Sequence, residues 1–216
     1  MFAEYAPQAV FLGNGYFLDL NPYFYIQNFA NVVFEKKNSV EISVKYDYDK
    51  YYELNGGIKY FSSSTFPYFE SSALDGRFNV VETSAKSYTG YINMLYHLSP
   101  YGYFYGSVEL NQTKTNDGKI LPYNPTWDSY LSYGYNFDFG LNTELTLNYL
   151  SKQYTDINNN NSINPFVNLN AKFTYKFAPD FNLTLELNNL LNRKNYRWLD
   201  YQEPPLDLIF GLVYRW

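Results

Sequence analysis

Between Val167 and Phe177, apolar and polar residues alternate without a break over 11 positions. Val167, Leu169, Ala171, Phe173, Tyr175 and Phe177 fall in one set, and Asn168, Asn170, Lys172, Thr174 and Lys176 in the other. Successive side chains of an extended strand point to opposite sides, whereas a helix would scatter both sets around its circumference. The segment therefore reads as a strand with one apolar face and one wet face. The same pattern recurs. Val40, Ile42, Val44, Tyr46 and Tyr48 alternate with Glu41, Ser43, Lys45 and Asp47. Tyr52, Leu54, Gly56, Ile58 and Tyr60 alternate with Glu53, Asn55, Gly57 and Lys59. Leu141, Leu145, Leu147 and Tyr149 oppose Asn142, Glu144, Thr146 and Asn148, and Phe181, Leu183, Leu185 and Leu187 oppose Asn182, Thr184, Glu186 and Asn188.

Less regular versions occupy 16–27, 78–82, 88–98, 101–113, 127–139 and 206–216. Together these segments predict about eleven strands. Turn signals separate them at Lys37-Asn38, Ser99-Pro100-Tyr101-Gly102, Asp138-Phe139-Gly140 and Ala178-Pro179-Asp180. Longer polar loops are expected at 115–119, 154–164 and 192–205.

Strand length chooses the solvent. Strands of soluble sandwiches run to about 5–6 residues, while a tilted strand crossing a bilayer needs about 9–11. Several segments reach the longer figure, and the expected fold is an all-β antiparallel meander of about 10–12 long strands forming a transmembrane β-barrel wall. Composition agrees. Aromatic residues make up 22% of the 216-residue chain, with 26 Tyr and 18 Phe. Tyr suits a membrane boundary, where the ring lies in the apolar layer and the hydroxyl stays wet. The mean hydropathy of −0.41 is compatible with a barrel, because half of the side chains face its interior.

The chain has no cysteine and carries a net charge of −5, with its basic residues scattered. Disulfides and thiolate metal sites are excluded, and nucleic acid, which needs a clustered basic footprint, is not an expected partner. The first ten residues, MFAEYAPQAV, lack the basic start and apolar core of a secretory signal. The expectation is a mature chain, or one whose beginning is missing.

In the last segment, Leu208, Phe210, Leu212, Tyr214 and Trp216 share a face. This apolar row closing on an aromatic resembles the C-terminal assembly signal of bacterial outer-membrane proteins, which the barrel-insertion machinery reads. Just upstream come Asn189, Leu190, Asn192, Arg193 and Tyr196, then Trp198, Tyr201, Pro204 and Pro205, then Gly211. Two further stretches, Leu121-Pro122-Tyr123-Asn124-Pro125 and Gln153-Tyr154-Thr155-Asp156, lie on either side of a predicted strand pair, and Lys86-Ser87-Tyr88-Thr89-Gly90 opens another strand. Together they resemble the C-terminal part of the barrel of TonB-dependent outer-membrane receptors. The resemblance is densest from Tyr88 onward. It implies residues 1–216 as one partial barrel domain without a plug domain, about half of a larger barrel. It also implies a diderm outer membrane, uptake of a scarce nutrient (metal chelate, vitamin or glycan), and a plug and TonB-type energy coupler in a full receptor. The alternative is a self-contained small pore or structural barrel of about 10–12 strands.

No enzyme chemistry, cofactor or metal site is expected. His97 is the one histidine and is read as a polar residue of the inner face or rim. Glu41, Lys45, Asp47 and Asp49 are read as a solvated ion-pair ladder. The segment 156–161 could supply oxygen ligands to calcium but lacks the acidic spacing of a calcium loop, so a solvated external loop is expected. Gly56-Gly57 is read as relieving strand curvature.

Overall fold

The computed structural model of the protein describes residues 2–12, 33–48, 51–71 and 78–214. Among the described residues, ten strands form one sheet: β1 (Phe2–Leu12), β2 (Val33–Tyr48), β3 (Tyr52–Ser71), β4 (Phe78–His97), β5 (Gly102–Thr115), β6 (Trp127–Asn136), β7 (Leu141–Leu150), β10 (Phe166–Ala178), β11 (Phe181–Asn188) and β14 (Asp207–Tyr214). Every neighbouring pair is antiparallel and the order follows the chain. Two short hairpins lie inside loops: β8 (Gln153–Tyr154) with β9 (Ser162–Ile163), and β12 (Tyr196–Trp198) with β13 (Tyr201–Gln202). The sheet is an open meander with β1 and β14 as its edges.

One end of the sheet carries the tight connections. Tyr51 N–H donates to Tyr48 O at 2.9 Å, a single 3₁₀ turn spans Ser99–Tyr101, and Gly140 takes φ +87° so that its N–H reaches Phe137 O at 3.0 Å. A side chain at that φ would be strained, which suits the position to glycine. The longer connections leave from the other end. Expectation and structure differ in several places. Lys37 and Asn38 do not turn; they pair with Ser63 and Ser62 inside β2 and β3. The segments 78–82 and 88–98 are one strand, with Lys86–Gly90 in its middle. β3 continues past Tyr60 to Ser71, with a register shift between Ser63 and Phe66. These extensions lie at the long-loop end, beyond the lipid, where the outward face is wet and loops cover part of the inner face, so apolar alternation is no longer required. The 115–119 loop is a tight turn, closed by Thr115 N–H to Lys119 O at 2.9 Å and by Gly118 at φ +80°. β1 escaped the sequence reading because Pro7 interrupts its pattern; an edge strand tolerates the missing N–H. The predicted segment 16–27 lies outside the described residues, as do Asp49 and Trp216.

Register aligns the alternating faces across the sheet. One row runs Tyr46, Leu54, Met94, Gly106, Leu131, Leu147, Leu169 through seven strands. A second runs Tyr52, Tyr96, Phe104, Tyr133, Leu145, Ala171, Leu187, Leu208. Val44, Ile58, Ile92, Leu110, Leu145, Leu183 and Leu212 on this face are exposed, and Phe210 is 80% exposed. Water would penalise such a surface by about 25 cal/mol per Å² of apolar area, so its solvent is lipid. Aromatics bound it at both ends: Tyr48–Tyr52, Phe177–Phe181 and Phe181–Tyr214 near the short turns, and Tyr60–Tyr88 and Trp127–Tyr149 near the long loops. That is the girdle arrangement of an outer-membrane barrel. Among the described residues, buried apolar side chains are few, and a cluster of Tyr68, Ala85 and Leu121 sits at the long-loop end rather than along the sheet.

Candidate functional site: the polar inner wall and its loop rim

The face opposite the apolar rows is polar and ordered by cross-strand pairs. Near the short turns, Lys45 lies 3.3 Å from Asp47 and 3.7 Å from Glu53. Further along, Lys59 lies 3.8 Å from Glu41, whose Oε1 accepts from Tyr91 Oη at 2.6 Å. Gly57 faces inward beneath Tyr91, and a Cβ there would come within 2.7 Å of Ile42 O and 2.9 Å of Tyr91 Oη, so close approach explains this glycine better than curvature alone. Ser107 Oγ donates to Asn93 Oδ1 at 2.7 Å, and Tyr103 Oη shares a hydrogen bond with Ser132 Oγ, which donates to Glu144. Lys172 and Glu186 meet at 2.6 Å over a hollow of about 300 Å³ lined also by Glu144, Thr146, Asn170 and Asn188. His97 stands at the short-turn end opposite Tyr103, exposed, and its imidazole has no hydrogen-bond partner among the described residues.

Toward the long loops the inner face becomes a buried polar cluster that the sequence reading missed. Thr113 Oγ1 donates to Ser87 Oγ at 2.8 Å, Ser87 Oγ to Asn111 Oδ1 at 2.9 Å, and Asn111 Nδ2 to Asn124 Oδ1 at 3.0 Å. Ser87 and Thr113 are buried because the 121–125 loop folds over them. The alternation alone showed Ser87, Asn111 and Thr113 as inward polar positions; what covers them is a tertiary fact.

Among the described residues, three loops form the rim. The 115–125 loop is tied to the 151–165 loop: Asn159 accepts from Ile120 N–H at 2.9 Å and donates to Ile120 O at 2.7 Å, and Tyr123 N–H donates to Tyr154 O at 2.8 Å. Asp156 spends both carboxylate oxygens on backbone donors, Oδ1 accepting from Asn160 N–H and Oδ2 from Asn161 N–H at 2.6 Å. Partial burial works to raise the Asp156 pKa, but the N–H groups of Asn161, Asn160 and Asn158 outweigh it and hold the carboxyl below its ordinary value. The residues weighed for calcium thus serve as a turn lock. Among the described residues, no group of three or more His, Cys, Asp or Glu side chains is placed to hold a metal.

The third loop carries the C-terminal motif. Asn189, buried at φ +53°, donates to Arg193 O at 2.9 Å and Pro204 O at 3.0 Å and accepts from Arg193 N–H at 3.1 Å. Leu190 N–H donates to Leu169 O, and Asn192 Oδ1 accepts from Leu206 N–H at 3.1 Å. Tyr196 Oη donates to Gln202, its cross-strand partner in the β12–β13 hairpin, and Tyr201 pairs with Trp198. Trp198 packs against Tyr123 in a tilted ring pair with centroids 4.6 Å apart, and Arg197 lies over the Phe166 ring at 4.4 Å and 3.2 Å from Glu203. The predicted motif residues therefore sit together as loop scaffold, joining the rim. Leu208, Phe210, Leu212 and Tyr214 share the outward face of β14, pairing with Leu187, Leu185, Leu183 and Phe181.

Neither a protein-family model nor a curated protein sequence matches this chain. Solved structures do. The copper transporter OprC superimposes with a TM-score of 0.69 at 13% identity over 85% of this chain and 32% of its own. The ferric citrate transporter FecA gives 0.69 at 17% identity, over 83% of this chain and 31% of its own. In fold, this chain resembles the barrel part of TonB-dependent receptors. The ferric-catecholate import receptor Fiu from K12 E. coli gives 0.67 at 16% identity, over 84% of this chain. The chain spans about a third or less of the length of each of these receptors, 28% in the case of Fiu. At these identities it is the barrel-wall fold that is shared.

Proposed function

We propose that this chain is the C-terminal barrel part of a TonB-dependent receptor that takes up a scarce nutrient across the outer membrane of a diderm bacterium. The observation that carries the reading is the ten-strand meander with a continuous apolar outer face, a polar inner face and its long loops at one end. In lipid every unpaired backbone group costs several kcal/mol, so the edges β1 and β14 require partners, which further strands of a larger barrel supply. The inner wall then borders a polar lumen that a plug domain fills, and energy comes from a TonB-type coupler in the periplasm. The rim loops are the ligand-facing part, and the wall's chemistry is binding rather than catalysis. A metal chelate is the favoured cargo class because copper and ferric citrate are the cargoes named for two receptors of this fold; vitamins and glycans are the other classes. Leu208, Phe210, Leu212, Tyr214 and Trp216 serve as the signal to the barrel-insertion machinery.

The test is to refold the chain in detergent, measure single-channel conductance in planar bilayers, and titrate candidate nutrient complexes. The reading expects no ligand-specific pore from this chain alone. A stable pore with saturable, ligand-specific block would make the chain a self-contained small barrel instead.

A further inference from the structure

The outward face changes character above its long-loop girdle. Tyr60 and Tyr88 pack with centroids 5.1 Å apart, and one step further from the membrane the row reads Asn38, Ser62, Lys86, Lys114. A strand rises about 3.3 Å per residue, so these lysines stand about 7 Å beyond the Tyr88 ring's Cα. Lys86 and Lys114 are direct cross-strand partners on β4 and β5. They share the outward face with Tyr88, since the intervening Ser87 and Thr113 point into the buried inner cluster. Like charges directly opposite one another destabilise a sheet. On the inner face, Lys45, Lys59 and Lys172 each sit against a carboxylate. Lys86 and Lys114 have no ion pair and no side-chain hydrogen bond among the described residues. Gln112, exposed beside Tyr88, adds another polar group to the patch, and the Asn38 and Ser62 side chains continue it along the row.

We propose that Lys86 and Lys114 form a binding site for the phosphate group of a lipid headgroup in the leaflet on the long-loop side. The proposal rests on the apolar outer face being lipid-facing. The geometry matches the chemistry. Acyl chains lie along Ile58, Ile92 and Leu110, the sugar or glycerol part lies level with the Tyr60–Tyr88 pair, and the anion falls between two ammonium groups. Asn38, Ser62 and Gln112 offer donors and acceptors to the rest of the headgroup. A free phosphate could satisfy the ammonium groups but would gain nothing from the apolar rows beneath them. The anchoring of one leaflet's lipid at this site would fix the height of β4 and β5 in the membrane, just below the turn that supports the rim.

The test uses the full protein containing this chain in nanodiscs of phosphatidylcholine with a trace of radiolabelled diphosphoryl lipid A. Wild-type protein should retain labelled lipid through mild detergent extraction. The Lys86→Gln/Lys114→Gln variant should lose retention by roughly tenfold or more, from the attraction expected per lysine at an anionic surface. A Lys45→Gln/Lys172→Gln variant, which removes the same charge from the inner face, should retain lipid as wild type does. If the assembled double variant retains lipid equally, the site is overturned; if it assembles poorly, the single Lys114→Gln change is read in the same way. Full displacement by millimolar inorganic phosphate would make this a small-anion site and also overturn the proposal. In parallel, brominated phosphatidylcholine should quench Trp127, taken as the difference between wild type and Trp127→Phe. Quenching with lost lysine dependence removes only the headgroup site. Absence of quenching removes the lipid-facing reading itself, and the proposal with it.

Discussion

The Asn195 side chain stands in for a strand: its Nδ2 donates to Val167 O at 2.7 Å while its Oδ1 accepts from Val167 N–H at 3.2 Å. β11 pairs with β10 from Ala171 onward; before that Leu190 N–H reaches Leu169 O, and at Val167 the place of a neighbouring strand is taken by this buried amide. Both main-chain groups of Val167 lose their partner in Asn195→Ala, at roughly 1–3 kcal/mol for each group left unsatisfied. The expected outcome is a loss of about 2–4 kcal/mol in reversible detergent–urea unfolding, with amide exchange of Val167 rising sharply. Asn195→Asp should be no better, because it replaces the donor facing Val167 O with an acceptor.

Asn189 combines a left-handed backbone with three hydrogen bonds, whereas Asn192, also at positive φ, makes one side-chain bond to Leu206 N–H. Glycine satisfies the backbone at either site but restores none of the bonds. Asn189→Gly should therefore destabilise the protein by roughly 2 kcal/mol and Asn192→Gly by well under 1 kcal/mol in the same assay. Equal effects would mean that the motif is held by backbone conformation alone.

Most of this loop was legible in the sequence, but Asn195 was not. Asn189, Arg193 and Trp198 stood out through family resemblance, and the strands 167–177 and 181–188 through strict alternation, which only a sheet with lipid on one side imposes over such lengths. Asn195 carried no signal, because its role is to complete a hydrogen-bond ladder 28 positions away. The same holds for Ser87 and Thr113, whose burial depends on where a loop lands. Beyond the girdle the outward face meets water and loops cover part of the inner face, so the apolar period fades, and the Lys37-Asn38 pair looked like a turn although β2 simply continues.

The Asp156 turn lock gives a pH dependence with a defined sign. Its folded pKa lies below the ordinary value of 3.8, so the ionised carboxylate stabilises the loop fully above that pH, and the contribution is lost as pH falls through the folded pKa. Exchange at the Asn160 and Asn161 amides, corrected for intrinsic rate, should be unchanged between pH 7 and 5 and rise below about pH 4. In Asp156→Asn it should already be fast at pH 7. A pH-independent wild type would mean that Asn159 and its bonds to Ile120 hold the turn without the charge.

The C-terminal row predicts a separation of folding from delivery. Phe210→Asp or Leu212→Asp should lower the amount of protein reaching the outer membrane of cells more than it lowers β-content after refolding in detergent, as should loss of Trp216. The motive is the apolar outward row of β14 paired to Leu185 and Leu183. Unchanged membrane yield in these variants would remove the assembly role.

Placement of charge reads the energetics of the two faces. Leu183→Arg, on the outward row with Tyr175 and Leu212, should cost about 2–4 kcal/mol in lipid vesicles, and Thr184→Arg, facing Thr174 and Gly211 on the polar side, close to nothing. Comparable costs at the two sites would show that both faces meet a similar medium.

The alternation itself can be read one residue at a time. The chain lacks cysteine, so single cysteines can be placed at Leu183, Thr184, Leu185 and Glu186 along β11 and exposed, in membranes, to a membrane-impermeant maleimide. The account predicts labelling with a period of two: Thr184 and Glu186 react from the polar side, and Leu183 and Leu185, facing lipid, stay protected. Uniform labelling along β11, or labelling with the opposite phase, would contradict the assignment of this sheet as a membrane-spanning barrel wall.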